Sequence, residues 1–334
     1  MINLETTYMG LTLKNPVVVS SSGLTNSVRK IKILEEKGAG AVVLKSLFEE
    51  QITNEASHLI SSDPKNSGYP EAEDYIMNYV KGNSISNYLE LIREAKKSVS
   101  IPIIASINCI SSKDWTSFAK EIEKAGADAI ELNIFIVPND KNKSAEAYEK
   151  LYYEVFSAVK KQVNIPIAMK LGVYFTNMMA VANRLNADGA DALVLFNRFY
   201  EPDIDIDKME MTSAEVLSSP SDIRKSLRFV GMISDKIRGI DISASTGIHD
   251  GEAAIKQLLA GAKTVQLCST IYENGFDRVT DIVADITKWM KKKEYTSVDE
   301  FRGKLSYGQV EDSAVYERAQ FMKYFSDNKK EVLQ

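Results

Sequence analysis

Two lysines and three asparagines end short apolar segments of this chain, where they could bind an anionic ligand. Lys45 and Lys170 close the segments AVVLK and IAMK, and Asn108, Asn133 and Asn197 close three others. A lysine at the end of a buried segment is costly to keep without a partner, because burial takes its charge out of water. Together these side chains favour an anionic ligand rich in amide groups. The alternative is that each lysine extends to the surface and is solvated there.

A second group of candidate binding residues lies in the stretch Gly239–Thr270. The pattern predicts a strand, a tight turn, a helix and another strand, and the two strands end in Ser245-Thr246-Gly247 and Cys268-Ser269-Thr270. Small hydroxyl residues and backbone N–H groups at the ends of two parallel strands can bind an anion such as phosphate. An ordinary strand–helix–strand unit without a ligand is the alternative.

Length and composition suit one large α/β domain or two smaller ones. The chain has 334 residues, of which 44% are hydrophobic and 26% charged, and its formal net charge of −5 disfavours a nucleic-acid surface. The first residues lack a signal pattern, and no apolar run approaches the ~20 residues of a membrane span. We therefore expect a cytoplasmic protein that binds neither nucleic acid nor a membrane.

Cysteines and histidines are few and widely separated. Cys109 and Cys268 have no metal-binding spacing, and His58 and His249 are the only histidines. We therefore expect reduced thiols, no metal site and no Ser-His-Asp hydrolase, with His249 in a helix-capping or solvent-facing role. The acidic run at 201–210 is more typical of a solvated loop than of a metal site.

One sequence pattern recurs four times and indicates the architecture. It consists of Gly-Ala, one or two small or polar residues and an apolar run, and it begins at Gly38, Gly126, Gly189 and Gly261. Four further apolar runs lie between these repeats, and their continuous apolar character is typical of parallel strands covered on both faces. Eight strand–helix units predict a (β/α)8 TIM barrel, and the absence of GxGxxG after the first strand argues against a doubly wound sheet.

The predicted strands and helices alternate along the chain. Strands are expected at 16–21, 41–46, 103–108, 129–133, 167–171, 192–196, 240–245 and 264–268. Helices are expected at 28–37, 86–97, 115–124, 145–161, 177–185, 221–233, 251–259 and 276–293. Long loops after the second strand (47–85) and the sixth (198–220) are where lids often lie.

The C-terminal part is expected to extend the barrel. The barrel should span residues 1–306, and 307–334 should form a helical extension. Its Phe321 and Tyr324 are spaced to pack on the barrel or on a second subunit.

Several segments taken together are similar to the dihydroorotate dehydrogenases, most closely the soluble class 1 enzymes, over roughly residues 3–306. NPVVVSSSG resembles the opening strand, VVLKS the second strand, IELNIFIVPN the Glu-Leu-Asn segment and IPIAMKLGVYF the strand with the second flavin lysine. SASTGIHDGEAAIKQLLAGAKTVQLCSTIYENG resembles the two phosphate-binding turns, and YTSVDEFRGKL resembles the closing segment. These segments follow one another in the order of the family.

The resemblance implies an FMN-dependent oxidoreductase that oxidises dihydroorotate to orotate in pyrimidine biosynthesis and forms a homodimer. In that reaction a hydride leaves C6 for flavin N5 while a base takes the C5 proton. The residues implied to line the flavin ring and ribityl chain are Ser21, Ser22, Lys45, Ser46, Ser106, Asn133, Lys170 and Phe196. Those implied to hold the phosphate are Thr246, Gly247, Cys268 and Ser269, and those implied to contact substrate are Lys45, Asn133 and Asn197.

Four segments depart from the family pattern. The segment IFIVPN at 134–139 contains neither the family's catalytic cysteine nor a serine, and the orotate-binding loop is not recognisable around Asn78. LSSP at 217–220 replaces a glycine pair, and Thr246-Gly247 and Cys268-Ser269 replace Gly-Gly and Gly-Thr. The catalytic residue is therefore left open. Cys109 is one candidate, and its alternative role is that of a small buried hydrophobe.

The missing cysteine and orotate loop leave two alternative functions. One is an FMN oxidoreductase that acts on a different reduced ring, such as a dihydropyrimidine. The other is a non-catalytic flavin-binding protein. The retention of Lys45, Lys170, Asn133 and Asn197 argues against this last alternative, because a purely structural barrel has no use for them.

Overall fold

The computed structural model describes residues 2–48, 70–108, 115–198 and 201–317, and it confirms the predicted (β/α)8 TIM barrel. In chain order the strands are β1 (Thr6–Tyr8), β2 (Leu11–Leu13), β3 (Val17–Val19), β4 (Ala41–Val43), β5 (Leu47–Phe48), β6 (Ile103–Asn108), β7 (Ala129–Asn133), β8 (Ile167–Leu171), β9 (Ala192–Leu195), β10 (Pro202–Asp205), β11 (Glu210–Ser213), β12 (Asp241–Ser245) and β13 (Thr264–Leu267). The closed parallel barrel has the order β3, β4, β6, β7, β8, β9, β12 and β13, with β13 pairing back to β3.

Helices follow the barrel strands and cover the outside of the barrel. The longer α-helices are Val28–Glu36, Pro70–Ser98, Trp115–Ala125, Ala145–Lys160, Met178–Ala187, Ile223–Lys236, Gly251–Ala260 and Asp277–Lys292. Shorter α-helices are Ser269–Asn274 and Ala314–Glu317. No helix in the described part of the chain combines the length and hydropathy that a membrane span requires.

Successive side chains of each barrel strand point alternately outward and into the lumen. Ile130 points outward and joins the large apolar cluster between the barrel and its helices. Ala129, Ala168 and Ala192 belong to a separate cluster inside the barrel, together with Tyr8 from the N-terminal hairpin β1–β2. The small alanines leave room for the buried Tyr8 ring, so the N-terminal end of the barrel is filled and any site must lie at the other end.

The second barrel strand is shorter than predicted, because its backbone leaves the sheet early. β4 ends at Val43, and β5 resumes the pairing with β6 at Leu47. Between them the Ser46 N–H donates to Ser21 Oγ (2.8 Å) instead of to a neighbouring strand. This interruption works as a bulge that turns Ser46 towards the barrel mouth.

Tyr88 occupies the place that the interrupted strand leaves along β6. Its hydroxyl donates to Ser106 O (3.0 Å) and accepts from Ser106 N–H (2.8 Å). Burial raises the pKa of Tyr88 well above its usual range, so this hydroxyl stays neutral and keeps both roles. A side chain from the helix Pro70–Ser98 thus satisfies backbone groups that a strand would otherwise pair.

Both segments predicted as long loops contain regular structure. The helix Pro70–Ser98 begins well before the predicted start at residue 86, so the prediction of a loop over the whole of 47–85 is wrong. The segment 198–220 contains the antiparallel hairpin β10–β11, whose strands account for the alternating pattern there. Asp203 and Asp205 lie on β10.

The described part of the C-terminal segment packs on the barrel. Tyr307 N–H donates to Gly231 O (2.9 Å) in the helix Ile223–Lys236. The Tyr316 ring lies so close to Gly231 that a Cβ there would meet it at 2.3 Å. Phe321 and Tyr324 lie outside the described residues.

Candidate active site

A cavity of about 420 Å³ opens at the C-terminal mouth of the barrel. The ends of β3, β8, β12 and β13 contribute to it, together with the segment that follows the hairpin β10–β11. Among the residues implied by the family resemblance, those that line this cavity are Ser21, Lys170, Asn197, Thr246, Gly247, Cys268 and Ser269. The structure therefore brings together residues that lie far apart in the sequence.

Lys170 is the buried cation of this cavity, and it has a protein partner. Its Nζ lies 3.3 Å from Glu131 Oε1 and 3.1 Å from Ser20 Oγ. Both charged side chains point into the lumen because they lie two residues after the lumen alanines Ala129 and Ala168. An ammonium in this position can balance negative charge on a bound ring.

Glu131 is held by a second neighbour from the last barrel strand. Gln266 Nε2 donates to Glu131 Oε2 (2.8 Å), and Gln266 Oε1 accepts from Ser20 Oγ (3.0 Å). The ion pair and these amide bonds form one closed network across the lumen. Glu131, Ser20 and Gln266 therefore fix the orientation of the Lys170 ammonium.

A chain of hydroxyl groups connects three of the implied flavin residues. Ser21 Oγ lies 2.9 Å from Ser46 Oγ, which lies 2.7 Å from Ser106 Oγ. Ser21 reaches the cavity, whereas Ser46 and Ser106 are buried behind it. Ser46 and Ser106 thus orient Ser21 and do not themselves line the cavity.

Two other implied residues support neighbours at the mouth. Asn197 Nδ2 donates to Asn133 Oδ1 (3.1 Å), which leaves the Asn133 amide group able to donate. Phe196 is buried against Phe229, and its backbone carbonyl accepts from Thr246 Oγ1 (2.9 Å). The side chain of Phe196 is therefore part of the core, and its contribution to the cavity is through the backbone.

The predicted phosphate turn is built by close backbone packing. Gly247 has a φ of +81°, and a Cβ there would lie 2.2 Å from the backbone nitrogen of Ile223, where the helix Ile223–Lys236 begins. Only glycine allows this approach. Thr246 also has a positive φ, of 74°, and its hydroxyl bond to Phe196 O holds it there.

Cys268 and Ser269 lie beside this turn, at the end of the neighbouring strand β13. Ser269 Oγ accepts from the Ser218 N–H (2.9 Å), which ties the end of β13 to the segment 217–220. Burial raises the pKa of the Cys268 thiol, and the Ser22 hydroxyl and Lys170 partly offset that effect. Cys268 is therefore a neutral thiol at ordinary pH, more a lining group than a nucleophile.

Ser22 and Lys45 also do not line the cavity. Ser22 caps the short 3-10 helix Gly23–Thr25 by accepting from Leu24 N–H (3.2 Å). Lys45 is half-buried beyond the end of β4 and does not line the cavity. Cys109 lies outside the described residues.

The prediction for His249 is wrong, because its side chain is buried. Only 7% of the residue is exposed, and Nε2 lies 3.1 Å from Ser218 Oγ. Nδ1 lies 3.3 Å from Glu273 Oε2. The turn that Gly247 allows brings the next residues inward, which a prediction based on sequence position alone missed.

Glu131, Gln266 and Ser20 were also missed as site residues. A carboxylate and an amide inside otherwise apolar strand segments, AIELN and TVQL, were the available signal. Among residues 2–48, 70–108, 115–198 and 201–317, no group of three His, Cys, Asp or Glu side chains is arranged to hold a metal ion.

Comparisons with known proteins identify the family. The sequence profile described as "Dihydroorotate dehydrogenase" matches residues 3–290. A protein of Thermoplasma volcanium named "Dihydroorotate dehydrogenase B (NAD(+)), catalytic subunit" is 28% identical over 315 residues, which cover 91% of this chain and 98% of that protein. A protein of the same name from Methanocaldococcus jannaschii is 29% identical, over 88% of this chain and 95% of the relative.

A relative with a different named substrate is also similar. The "NAD-dependent dihydropyrimidine dehydrogenase subunit PreA" of Escherichia coli is 25% identical over 324 residues, which cover 90% of this chain and 76% of that protein. Similarity to this chain therefore extends to relatives named for two different ring substrates.

Proposed function

The chain belongs to the dihydroorotate dehydrogenase family and is a dehydrogenase, and we propose that it uses FMN to oxidise a reduced ring, with dihydroorotate as the first candidate substrate. The observation that carries the proposal is the buried Lys170 ammonium at the barrel mouth, held by Glu131 and Ser20 and facing a cavity large enough for part of a flavin. A fixed cation in such a place favours a ligand that becomes negatively charged.

The phosphate end of the cavity fits the cofactor as well. Gly247 brings backbone against the first turn of a 14-residue helix, which is a favourable place for an anion. Ser218 and Ser269 add hydroxyl groups to the same cavity. These residues would hold the phosphate, whereas Lys170, Ser21 and Asn197 would lie along the ring and ribityl chain.

Each of these side chains has a separate part in the proposed chemistry. FMN, when bound, supplies the hydride acceptor. Lys170 balances negative charge, and the Glu131–Gln266 network keeps its ammonium from turning away. The Asn133–Asn197 amide pair offers donors to carbonyl or carboxylate groups of a substrate ring. The ring proton that leaves with the hydride goes to a base outside segment 134–139, since that segment holds neither cysteine nor serine.

The absence of a recognisable orotate-binding loop favours a second candidate substrate. A dihydropyrimidine without a carboxylate would not need the orotate-binding loop, and one similar relative is named for dihydropyrimidine oxidation. We propose this class as the alternative for the same site.

An anaerobic assay with purified FMN-loaded protein and an artificial electron-accepting dye tests these candidates. Dihydroorotate and dihydrouracil are supplied separately, and orotate or uracil is identified by chromatography. Orotate formation supports the first candidate, and uracil formation alone supports the second. If neither product forms, the proposed substrate class is wrong.

We further propose a cytoplasmic homodimer, as the family resemblance implies. Ile204, Met209 and Met211 of the hairpin β10–β11 and its turn are more than half exposed, which is a surface that a second copy would cover. Light scattering at micromolar concentration tests the dimer, and a single species of 37.2 kDa would contradict it.

A further inference from the structure

Beside the phosphate end of the cavity, three side chains form a linear hydrogen-bonded series. Glu273 Oε2 lies 3.3 Å from His249 Nδ1, and His249 Nε2 lies 3.1 Å from Ser218 Oγ. Ser218 lines the cavity and His249 is buried directly behind it. Glu273 is half-exposed, so the series leads from solvent to the cavity wall.

The direction of the Ser218 hydroxyl depends on the charge of the imidazole. A neutral imidazole that donates from Nδ1 to Glu273 presents a bare Nε2, which accepts the Ser218 proton. The cavity then faces hydroxyl lone pairs, which repel an anion. A protonated imidazole donates from both nitrogens, so the Ser218 proton becomes free to point into the cavity.

We propose that Glu273, His249 and Ser218 form a proton-linked clamp for the cofactor phosphate, in which protonation of His249 releases the Ser218 hydroxyl to donate to the phosphate. The proposal rests on FMN as the cofactor. His249 is a positioning residue in this clamp, because it acts on the phosphate only through Ser218. Binding of the phosphate and uptake of a proton by His249 then favour each other.

The charged groups around His249 each have a defined place. Glu273 faces the ring. Arg278 donates from Nε and Nη2 to the His249 carbonyl, and its Nη1 lies 3.9 Å from Asp281. Asp250 is engaged in capping the helix Gly251–Ala260 through Ala253 N–H (2.7 Å).

The same arrangement leaves Ser218 only its side chain as a donor to the phosphate. Ser218 N–H is already bonded to Ser269 Oγ and cannot bind a phosphate at the same time. The side-chain hydroxyl can rotate, so its use as a donor requires a partner that controls where it points. His249 is that partner.

The test measures the affinities of the protein for FMN and for riboflavin by flavin fluorescence between pH 6.5 and 8.5. Calorimetry in two buffers of different ionisation enthalpy measures the protons taken up on binding. Wild-type protein should bind FMN roughly tenfold or more tightly at the acid end, because a hydrogen bond to a charged group is gained. Riboflavin has no phosphate, so its affinity should not follow this dependence. Calorimetry should show more proton uptake on FMN binding for wild type than for the His249 variants.

Variants separate the clamp from a packing role. His249→Gln keeps a permanent donor near Ser218, so FMN should bind tightly with a flattened pH dependence. His249→Leu and Ser218→Ala should weaken FMN roughly tenfold without affecting riboflavin. Glu273→Gln should flatten the pH dependence of FMN binding, because it removes the carboxylate that faces His249 Nδ1. Glu252→Gln is its matched control, because the Glu252–Lys256 pair is exposed on the preceding helix Gly251–Ala260.

Two results would overturn the clamp. Equal proton uptake by wild type and His249→Gln would show that only the phosphate's own titration is being measured. Equal loss of riboflavin and FMN affinity in Ser218→Ala would show a general packing defect. Wild-type protein that binds neither flavin would instead overturn the proposed function together with the clamp.

Discussion

At the residue scale, the cavity depends on the buried ion pair of Lys170 and Glu131, of which the sequence predicted only Lys170. Lys170 was predicted because a lysine ends an apolar strand, and its burial needs a partner. The structure supplies that partner as Glu131, which lies in the lumen with 1% of its surface exposed. Glu131 thus explains the burial of Lys170 without a ligand. The functional role of Lys170 is supported by its position in the wall of the cavity.

Replacing Lys170 by Ala should remove flavin binding and leave Glu131 as an unpaired buried charge. We expect FMN affinity to fall roughly thirtyfold or more and stability to fall by about 3 kcal/mol. Flavin occupancy and urea unfolding measure the two effects. Lys160→Ala, which breaks a half-exposed pair with Asp191 outside the cavity, is the control. The double change K170M/E131Q should recover stability but not flavin binding. Normal flavin content in Lys170→Ala or in K170M/E131Q would contradict the proposed site.

Cys268 should react slowly with thiol reagents, because burial raises its pKa. A raised pKa means less thiolate at every pH below it, so alkylation should be slower than for a free cysteine and should still be rising above pH 9. Mass spectrometry of the peptide that contains Cys268 measures the rate across pH. A plateau near pH 8.5 would show an ordinary, accessible thiol.

At the element scale, turns position the site where helices and strands meet. The Gly247 turn lies against the start of the helix Ile223–Lys236, and the interrupted strand between β4 and β5 brings Ser46 to Ser21. These are the features that local sequence patterns describe least well. The strands β6, β7 and β8 have the predicted bounds, because continuous apolar runs of that length have few alternatives.

Gly247→Ala should damage both stability and flavin binding. Its Cβ would lie 2.2 Å from Ile223 N, so the helix must shift in addition to the cost of a positive φ, about 1–3 kcal/mol. Gly275→Ala is the matched control, since its φ is +79° and nothing lies within 4 Å of the added carbon. Thermal unfolding and FMN titration should show that Gly247→Ala loses more stability and more FMN affinity than Gly275→Ala. Equal losses in the two variants would mean that only the positive φ matters.

The parts of the site that escaped prediction share a physical cause. His249 and Ser218 meet only because the Gly247 turn is tight, and Gln266 reaches Glu131 only because the barrel closes. Neither contact has a signature in local spacing. Lys170, Thr246 and Ser269 were predictable, because each lies at the end of a strand and all barrel strands end at the same face.

At the scale of the whole molecule, the packed interior of the lumen and the binding cavity lie at opposite ends of the barrel. Tyr8 and the alanines of β7, β8 and β9 fill the N-terminal end of the lumen, whereas the ion pair and the cavity lie towards the C-terminal mouth. The strands connect the two ends, and burial together with the charge of Glu131 raises the pKa of Tyr8, so the filled end adjoins the network that holds Lys170. We expect changes in the apolar side chains of the filled end to leave the chemistry at the mouth largely intact.

Tyr8→Ala tests this separation. Loss of a fully buried ring should lower stability by about 3–5 kcal/mol, because the cavity left behind cannot be filled by alanines. The FMN content and the affinity of the folded protein should stay unchanged. Urea unfolding and flavin titration at low temperature measure both, and a parallel loss of flavin would show that the two ends are coupled.

The proposed oxidation of a reduced ring by bound FMN is tested most directly by the visible spectrum of the FMN-loaded protein under anaerobic conditions. The spectrum is recorded before and after addition of dihydroorotate and then dihydrouracil. We expect a yellow protein with the absorbance of oxidised flavin that bleaches with one of these reduced rings. Bleaching by neither ring, with the flavin still bound and reducible by dithionite, would contradict the proposed reaction. Failure to bind flavin at all would contradict the site.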